Sequence, residues 1–228
     1  MKRKSIIEKE RRYINNIFTS STNNFKYAEG IRKLEALSKK YPALNSEDLL
    51  CKLAFLYDHL ALREKNEKRR KADENIALRL YHRVLRLNPE SSRATWGIGR
   101  VLWHRNDKRA IKYALRAYRL CKKLGKPVRL YAQNIGLIYE AIENFRRAEY
   151  WLLRGAQENR RDFGSYLNLV VFYRLVHKFD KAIKWSKQLE KLYLKESGSF
   201  KNTPWGKKIA EVIKDANKPL KLKKGGSL

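Results

Sequence analysis

The 228-residue chain is poor in the residues that interrupt regular structure or fix it covalently: five Pro, eleven Gly, two Cys and one Met. Scarce Pro and Gly speak against a fold of many tight turns and fit long helices. Two cysteines, Cys51 and Cys121, build no disulfide framework, and neither stands in a CxxC or in the Cys/His spacing of a zinc site. Both read as buried, inert thiols of a reducing compartment, so the expected location is cytoplasmic. No apolar run approaches the roughly 20 residues of a membrane span. The start, MKRKSIIEKERRY, is basic but lacks the apolar stretch of a signal peptide. Acids are scarce too: 23 Asp and Glu face 53 Lys and Arg, a formal net charge of +30. That excess attracts polyanions, so an acidic partner, protein or nucleic acid, is the expectation.

Catalytic constellations are missing as well. His59, His82, His104 and His177 are scattered, none in HExxH or beside a Cys or carboxylate at ligand spacing. The GIG at Gly97–Gly99 follows no strand and lacks the rest of a dinucleotide fingerprint; it reads as a helix-packing pair. No enzyme activity, metal or cofactor is expected.

What is present is a repetition. NIGLIYEAIENFRRAEYW, from Asn134 to Trp151, returns 34 residues later as NLVVFYRLVHKFDKAIKW, from Asn168 to Trp185, with Asn, Tyr, Phe, Ala and Trp in register. Within each copy apolar residues recur at helical period, break at two or three polar residues, and resume. Each copy is therefore a helix, a tight turn and a second helix. Gly136, Tyr139, Phe145, Ala148 and Gly155 carry the pattern in one copy, and Val170, Tyr173, Phe179, Ala182 and Leu189 in the next. Earlier segments supply Gly99, Leu102, Ala110 and Ala117, then Ala54, Tyr57, Ala77, Tyr81, Val84 and Pro89, then Phe25 and Ala28.

Period and composition resemble the tetratricopeptide repeat. The resemblance implies an all-α, right-handed solenoid of about five helix–turn–helix repeats with a C-terminal capping helix. Approximate repeats run over 4–43, 44–90, 91–127, 128–161 and 162–199, the capping helix over 200–217 and a basic disordered tail over 218–228. Small residues such as Gly99, Gly136 and Ala148 let helix backbones approach. Val170 and Leu189 depart from that preference, as expected of a last repeat with nothing to receive on one side. Thr203 and Pro204 announce the capping helix. REKNEKRRKADE, from Arg63 to Glu74, reads as an extension of the flanking helices in preference to a solvated loop. Gly125 reads as a helix stop.

Relatives of this fold usually hold an extended peptide or a partner helix in a concave groove lined by first helices. By register Arg93, Trp96, Arg100, Trp103 and His104 project there, followed by Gln133, Asn134, Leu137, Asn168, Val171 and Arg174. Trp beside Arg is hot-spot composition, although Trp96 and Trp103, seven apart, fit a core more readily than a ligand contact. Asn134 and Asn168 either bond a peptide backbone or tie one helix to the next. A chaperone-tail clamp is not supported, because Trp96, Arg100, Asn134, Gly164 and Asn168 lack its basic members. A second surface is basic. From Arg93 to Pro127 eleven Lys and Arg face one acid, Asp107. Arg109, Lys112, Arg116, Arg119 and Lys123 form one stripe, and Arg79, Arg83 and Arg86 sit on the preceding second helix. These are either a solvated face or a polyanion-binding one. The reading is a non-catalytic scaffold or adaptor holding an acidic protein segment in its groove; the alternative is a module binding RNA or DNA through the basic convex face.

Overall fold

The computed structural model describes residues 2–41, 46–126, 128–158 and 160–217. The expected tail at 218–228 lies outside them. All regular structure among the described residues is helical. The chain divides into two compact units, Met1–Lys126 and Pro127–Leu228. In the first unit the pairs are α1 (Lys2–Asn23) with α2 (Tyr27–Lys40), α3 (Glu47–Ala61) with α4 (Glu67–Leu87), and α5 (Ser92–His104) with α6 (Ala110–Lys123). The second unit has α7 (Arg129–Ala141) with α8 (Phe145–Glu158), α9 (Phe163–Leu175) with α10 (Phe179–Leu194), then the short α11 (Gly198–Lys201) and α12 (Pro204–Asn217).

One local device ends five of these helices. The N–H two residues past the last turn donates back to a carbonyl five residues earlier: Lys26 to Ser21, Asp107 to Leu102, Lys126 to Cys121, Asn144 to Tyr139 and Lys178 to Tyr173, at 2.8–2.9 Å. The residue in between takes left-handed backbone angles, which satisfies orphan carbonyls and reverses the chain. Only Gly125, with φ +62, is a glycine; Phe25, Asn106, Glu143 and His177 hold φ of 56–58 with a side chain attached. Helix starts use side-chain caps: Asn66, Ser91, Asp162 and Thr203 accept backbone N–H bonds at 2.8–3.3 Å. The charged stretch at Arg63–Glu74 lengthens α4 alone, which begins at Glu67 with a Glu67–Lys71 pair at 2.7 Å, while α3 stops at Ala61.

Small residues sit where helices touch. A Cβ on Gly136 would lie 2.7 Å from Cγ of Leu152 on α8, and one on Gly97 would fall inside the Tyr81 ring on α4. Ala77, Ala94, Ala110, Ala114, Ala117, Ala132 and Ala148 are fully buried. In the first unit Ile14, Ile17, Tyr27, Ile31, Leu34, Leu49, Leu53 and Leu56 join α1, α2 and α3. At the other end Val170 and Leu189 are not left facing an empty side. They pack with Ile209, Ile213 and Ala216 of α12, which explains why larger residues replace glycine there.

Tyr173 near the end of α9 donates to Glu149 of α8 at 2.9 Å, and Lys178 and Lys181 reach the same carboxylate at 3.0 and 2.7 Å. Burial pushes the Glu149 carboxyl up, but the three donors prevail and hold it at about 2. A depressed folded pKa gives stability above the ordinary carboxylate range and loses it as pH falls towards about 2. Glu149→Gln is therefore expected to lower stability by about 1–2 kcal/mol at neutral pH, after allowance for solvent screening. The difference from wild type closes by about pH 2; urea titrations read by the tryptophans of the second unit check both statements.

Candidate functional site

On α5 the expected groove residues meet acids of α3. Arg93 Nη1 donates to Asp48 Oδ1 at 2.8 Å while its side chain stays largely exposed. Arg100 is mostly buried. Its Nε donates to Asp58 Oδ2 at 2.6 Å, and Nη2 stands 2.5 Å from the same oxygen without the angle of a hydrogen bond. The guanidinium lies 4.6 Å from the Phe55 ring centroid and beside the Tyr81 hydroxyl. Asp58 is 1% exposed, and burial holds its carboxyl above the ordinary range although Arg100 opposes the rise. Asp48, Phe55 and Asp58 are thus partners that the sequence reading missed. The available signal was the presence of three acids, Glu47, Asp48 and Asp58, on a largely apolar helix of a chain poor in acids. His59, stacked on Phe55 at 3.8 Å, donates Nδ1–H to the Phe55 carbonyl and is pushed down to about 4 by burial, so it is neutral at physiological pH.

Trp96 and Trp103 are half-buried. His104 stacks on Trp103 at 5.4 Å and rims an open polar cavity of about 380 Å³ between the start of α4 and the end of α5. Glu67, Arg70, Glu74 and Arg105 line it, and the buried Glu74 is taken by Arg105 Nε at 2.7 Å.

In the second unit Ser165 Oγ donates to Gln133 Oε1 at 3.3 Å, which seats α9 against α7. The approach is possible because a side chain at Gly164 would press on Gln133. Asn134 and Asn168, one repeat apart, are half-buried, and neither side-chain amide makes a hydrogen bond among the described residues. Beside Asn168 on α9 lie exposed Val171, Arg174 and Leu175; Arg174 has no acidic partner among the described residues. Gln133, Asn134, Asn168 and Arg174 therefore belong to one unit, and Arg93, Trp96, Arg100, Trp103 and His104 to the other.

The basic residues point away from the cores. On α4 the buried stripe is Ala77, Tyr81 and Val84, with Arg79, Arg83 and Arg86 exposed on the opposite face. On α6 the buried stripe is Ala110, Ala114, Ala117 and Cys121, with Lys112, Arg116, Arg119 and Lys123 opposite. Arg109 pairs with Asp107 at 2.6 Å and Lys123 with Glu90 at 2.5 Å. Both thiols, Cys51 and Cys121, are free and buried, and burial pushes Cys51 up to about 12. No helix among the described residues is long and apolar enough to cross a membrane.

Neither a protein-family model nor a curated protein sequence matches the chain. Solved structures do. PilW, a widely conserved type IV pilus biogenesis factor, superposes with a TM-score of 0.66 at 15% identity, over 90% of this chain and 89% of that one. PilF of Pseudomonas aeruginosa gives 0.65 at 12% identity, over 92% and 90%. A thermophilic TPR protein of Thermus thermophilus gives 0.63 at 14% identity, over 89% and 98%. Likeness at such identities concerns the fold, and the fold is all-α and of tetratricopeptide type.

Proposed function

We propose that the chain is a non-catalytic scaffold that holds an extended protein segment carrying acidic residues along the faces of α7 and α9, the first helices of the pairs in its second unit. The observation behind this reading is the pair Asn134 and Asn168: half-buried amides that bond nothing among the described residues. They stand one repeat apart, and the second of them shares α9 with exposed Val171, Arg174 and Leu175. An extended backbone offers donors and acceptors to such amides. Alternate side chains then meet the apolar pair, and an acid meets Arg174. Arg93, in the first unit, is exposed but already holds Asp48, and it is not needed for this site. Arg100 is better understood as a support of the scaffold than as a ligand contact, because its charge is committed to Asp58. Two free buried thiols agree with a cytoplasmic setting.

A display library of random peptides, half of its members enriched in Asp and Glu, tests the proposal against the full chain. Acidic peptides should dominate the selected pool. For the best of them, Asn134→Ala with Asn168→Ala should weaken binding by about tenfold to a hundredfold, two hydrogen bonds at about 1 kcal/mol each or slightly more. The melting temperature should stay unchanged, since neither amide supports the fold. Equal affinity for wild type and the double variant would remove the proposed contact surface.

A further inference from the structure

The outer faces of α4 and α6 carry a different feature, independent of the groove. Six cations there have no carboxylate partner among the described residues: Arg79, Arg83, Arg86, Lys112, Arg116 and Arg119. Their places correspond one to one. Aligned on the buried alanines Ala77 and Ala110, Arg79 matches Lys112, Arg83 matches Arg116, and Arg86 matches Arg119. Arg116 Nη2 donates to the Pro89 carbonyl at 3.0 Å, and Lys123 reaches Glu90 in the same turn. The last two turns of α6 are thereby fastened to the turn that follows α4, and the two stripes lie on neighbouring elements of one unit. From Asn75 to the end of α4, and throughout α6, there is no acid.

General lysine enrichment does not produce this pattern. Aligned on Ala148, the same three places of α8 are Tyr150, Arg154 and Gln157, and Arg154 is bound to Glu158 at 3.1 Å. On α10 they are Lys184, Gln188 and Lys191, and the neighbouring Lys178 and Lys181 are spent on Glu149. The full cationic set is confined to α4 and α6, where five of its six members are arginine. Arginine presents a planar fork that takes two phosphate oxygens at once.

From this arrangement we infer that the α4–α6 face docks the phosphate backbone of a nucleic acid without reading its sequence. A protein partner would need an apolar centre to bury, and the apolar stripes of both helices are already consumed in the core. A membrane surface would need the same free stripe; exposed Leu87 and Leu124 stand only at the two helix ends. No Phe, Tyr or Trp side chain is exposed on either face among the described residues, which leaves no stacking platform for bases.

Fluorescence anisotropy of the full chain with a labelled DNA duplex of about 20 base pairs tests this, since about six neutralised phosphates predict an affinity falling roughly a thousandfold between about 50 and 200 mM salt. Arg83→Glu with Arg119→Glu should weaken duplex binding at least tenfold and flatten the salt slope by about two. Both residues are exposed and unbonded among the described residues, so the helical circular dichroism should stay at the wild-type level. Lys207→Glu with Lys208→Glu, on the exposed side of α12, removes the same charge elsewhere and should change affinity by less than about twofold. Equal losses in the two double variants would reduce the effect to net charge and overturn the assignment. So would an absence of duplex binding at the lower salt. Sedimentation with phosphatidylserine vesicles in place of duplex binding would overturn it in favour of a lipid surface.

Discussion

Replacing Arg100 by alanine is expected to lower the stability of the first unit by about 3–5 kcal/mol, the usual loss when one member of a buried ion pair is removed. Asp58 is 1% exposed, and its carboxylate would remain in the core of α3 with no cation against it. The cation–π contact with Phe55 and the packing against Tyr81 would go as well. The pH dependence supplies the diagnostic. Burial already holds Asp58 above the ordinary carboxylate range in the wild type. Without Arg100 the folded-state pKa rises further, so folding takes up a proton. A raised folded pKa penalises the native state above that pKa, and the penalty fades as pH falls through it. The deficit of the variant is therefore largest at neutral pH and shrinks on acidification, as that of Glu149→Gln does, but here because a penalty on the variant fades and there because a stabilisation of the wild type is lost. Adding Asp58→Asn should restore most of the loss at neutral pH, because a neutral amide replaces the stranded charge. Denaturation followed by Trp96 and Trp103 fluorescence reads both variants. A deficit independent of pH would mean that lost packing, not the charge, is responsible.

Gly97→Ala should destabilise by about 2–3 kcal/mol, although alanine in a helix interior normally gains about 1 kcal/mol over glycine. The added methyl would fall inside the Tyr81 ring, which lies against the α5 backbone and is itself 2% exposed. The ring cannot retreat easily, since its hydroxyl is placed beside Arg100. Tyr81→Leu alone should cost stability, but combined with Gly97→Ala it should cost less than the sum of the two, and the coupling in a double-mutant cycle should exceed about 1 kcal/mol. Additive behaviour would show that the ring and the glycine do not touch in solution.

These two positions mark how far the sequence can be read. The 34-residue return of Asn, Tyr, Phe, Ala and Trp makes the helix pairs and their packing faces legible, because a helix face is local information. Gly97 and Gly99 can be recognised as packing residues, but not which ring occupies the space beside the first. Asp58 and Arg100 lie 42 residues apart, on different helices, and no periodicity within either helix announces their meeting. Register alone therefore sends Arg100 to a groove, when its charge is used inside the scaffold. The turns are hidden for another reason. Left-handed positions are ordinarily flagged by glycine, yet Phe25, Asn106, Glu143 and His177 occupy them, and only Gly125 gives the signal. The basic stripe is visible in the sequence, but not that Arg109 and Lys123 are offset by Asp107 and Glu90 while their neighbours are not.

Helix α12 carries one more implication, for how such a chain can change length over evolutionary time. Val170 and Leu189 present the surface on which a further helix pair would otherwise be laid, and the chain's own α12 fills it with Ile209, Ile213 and Ala216. A duplicated pair appended behind α12 would find no matching surface, whereas one inserted ahead of α9 would meet the small-residue interfaces that its parents already use. Lengthening is thus easier between the pairs of the described array than on the surface that α12 already covers.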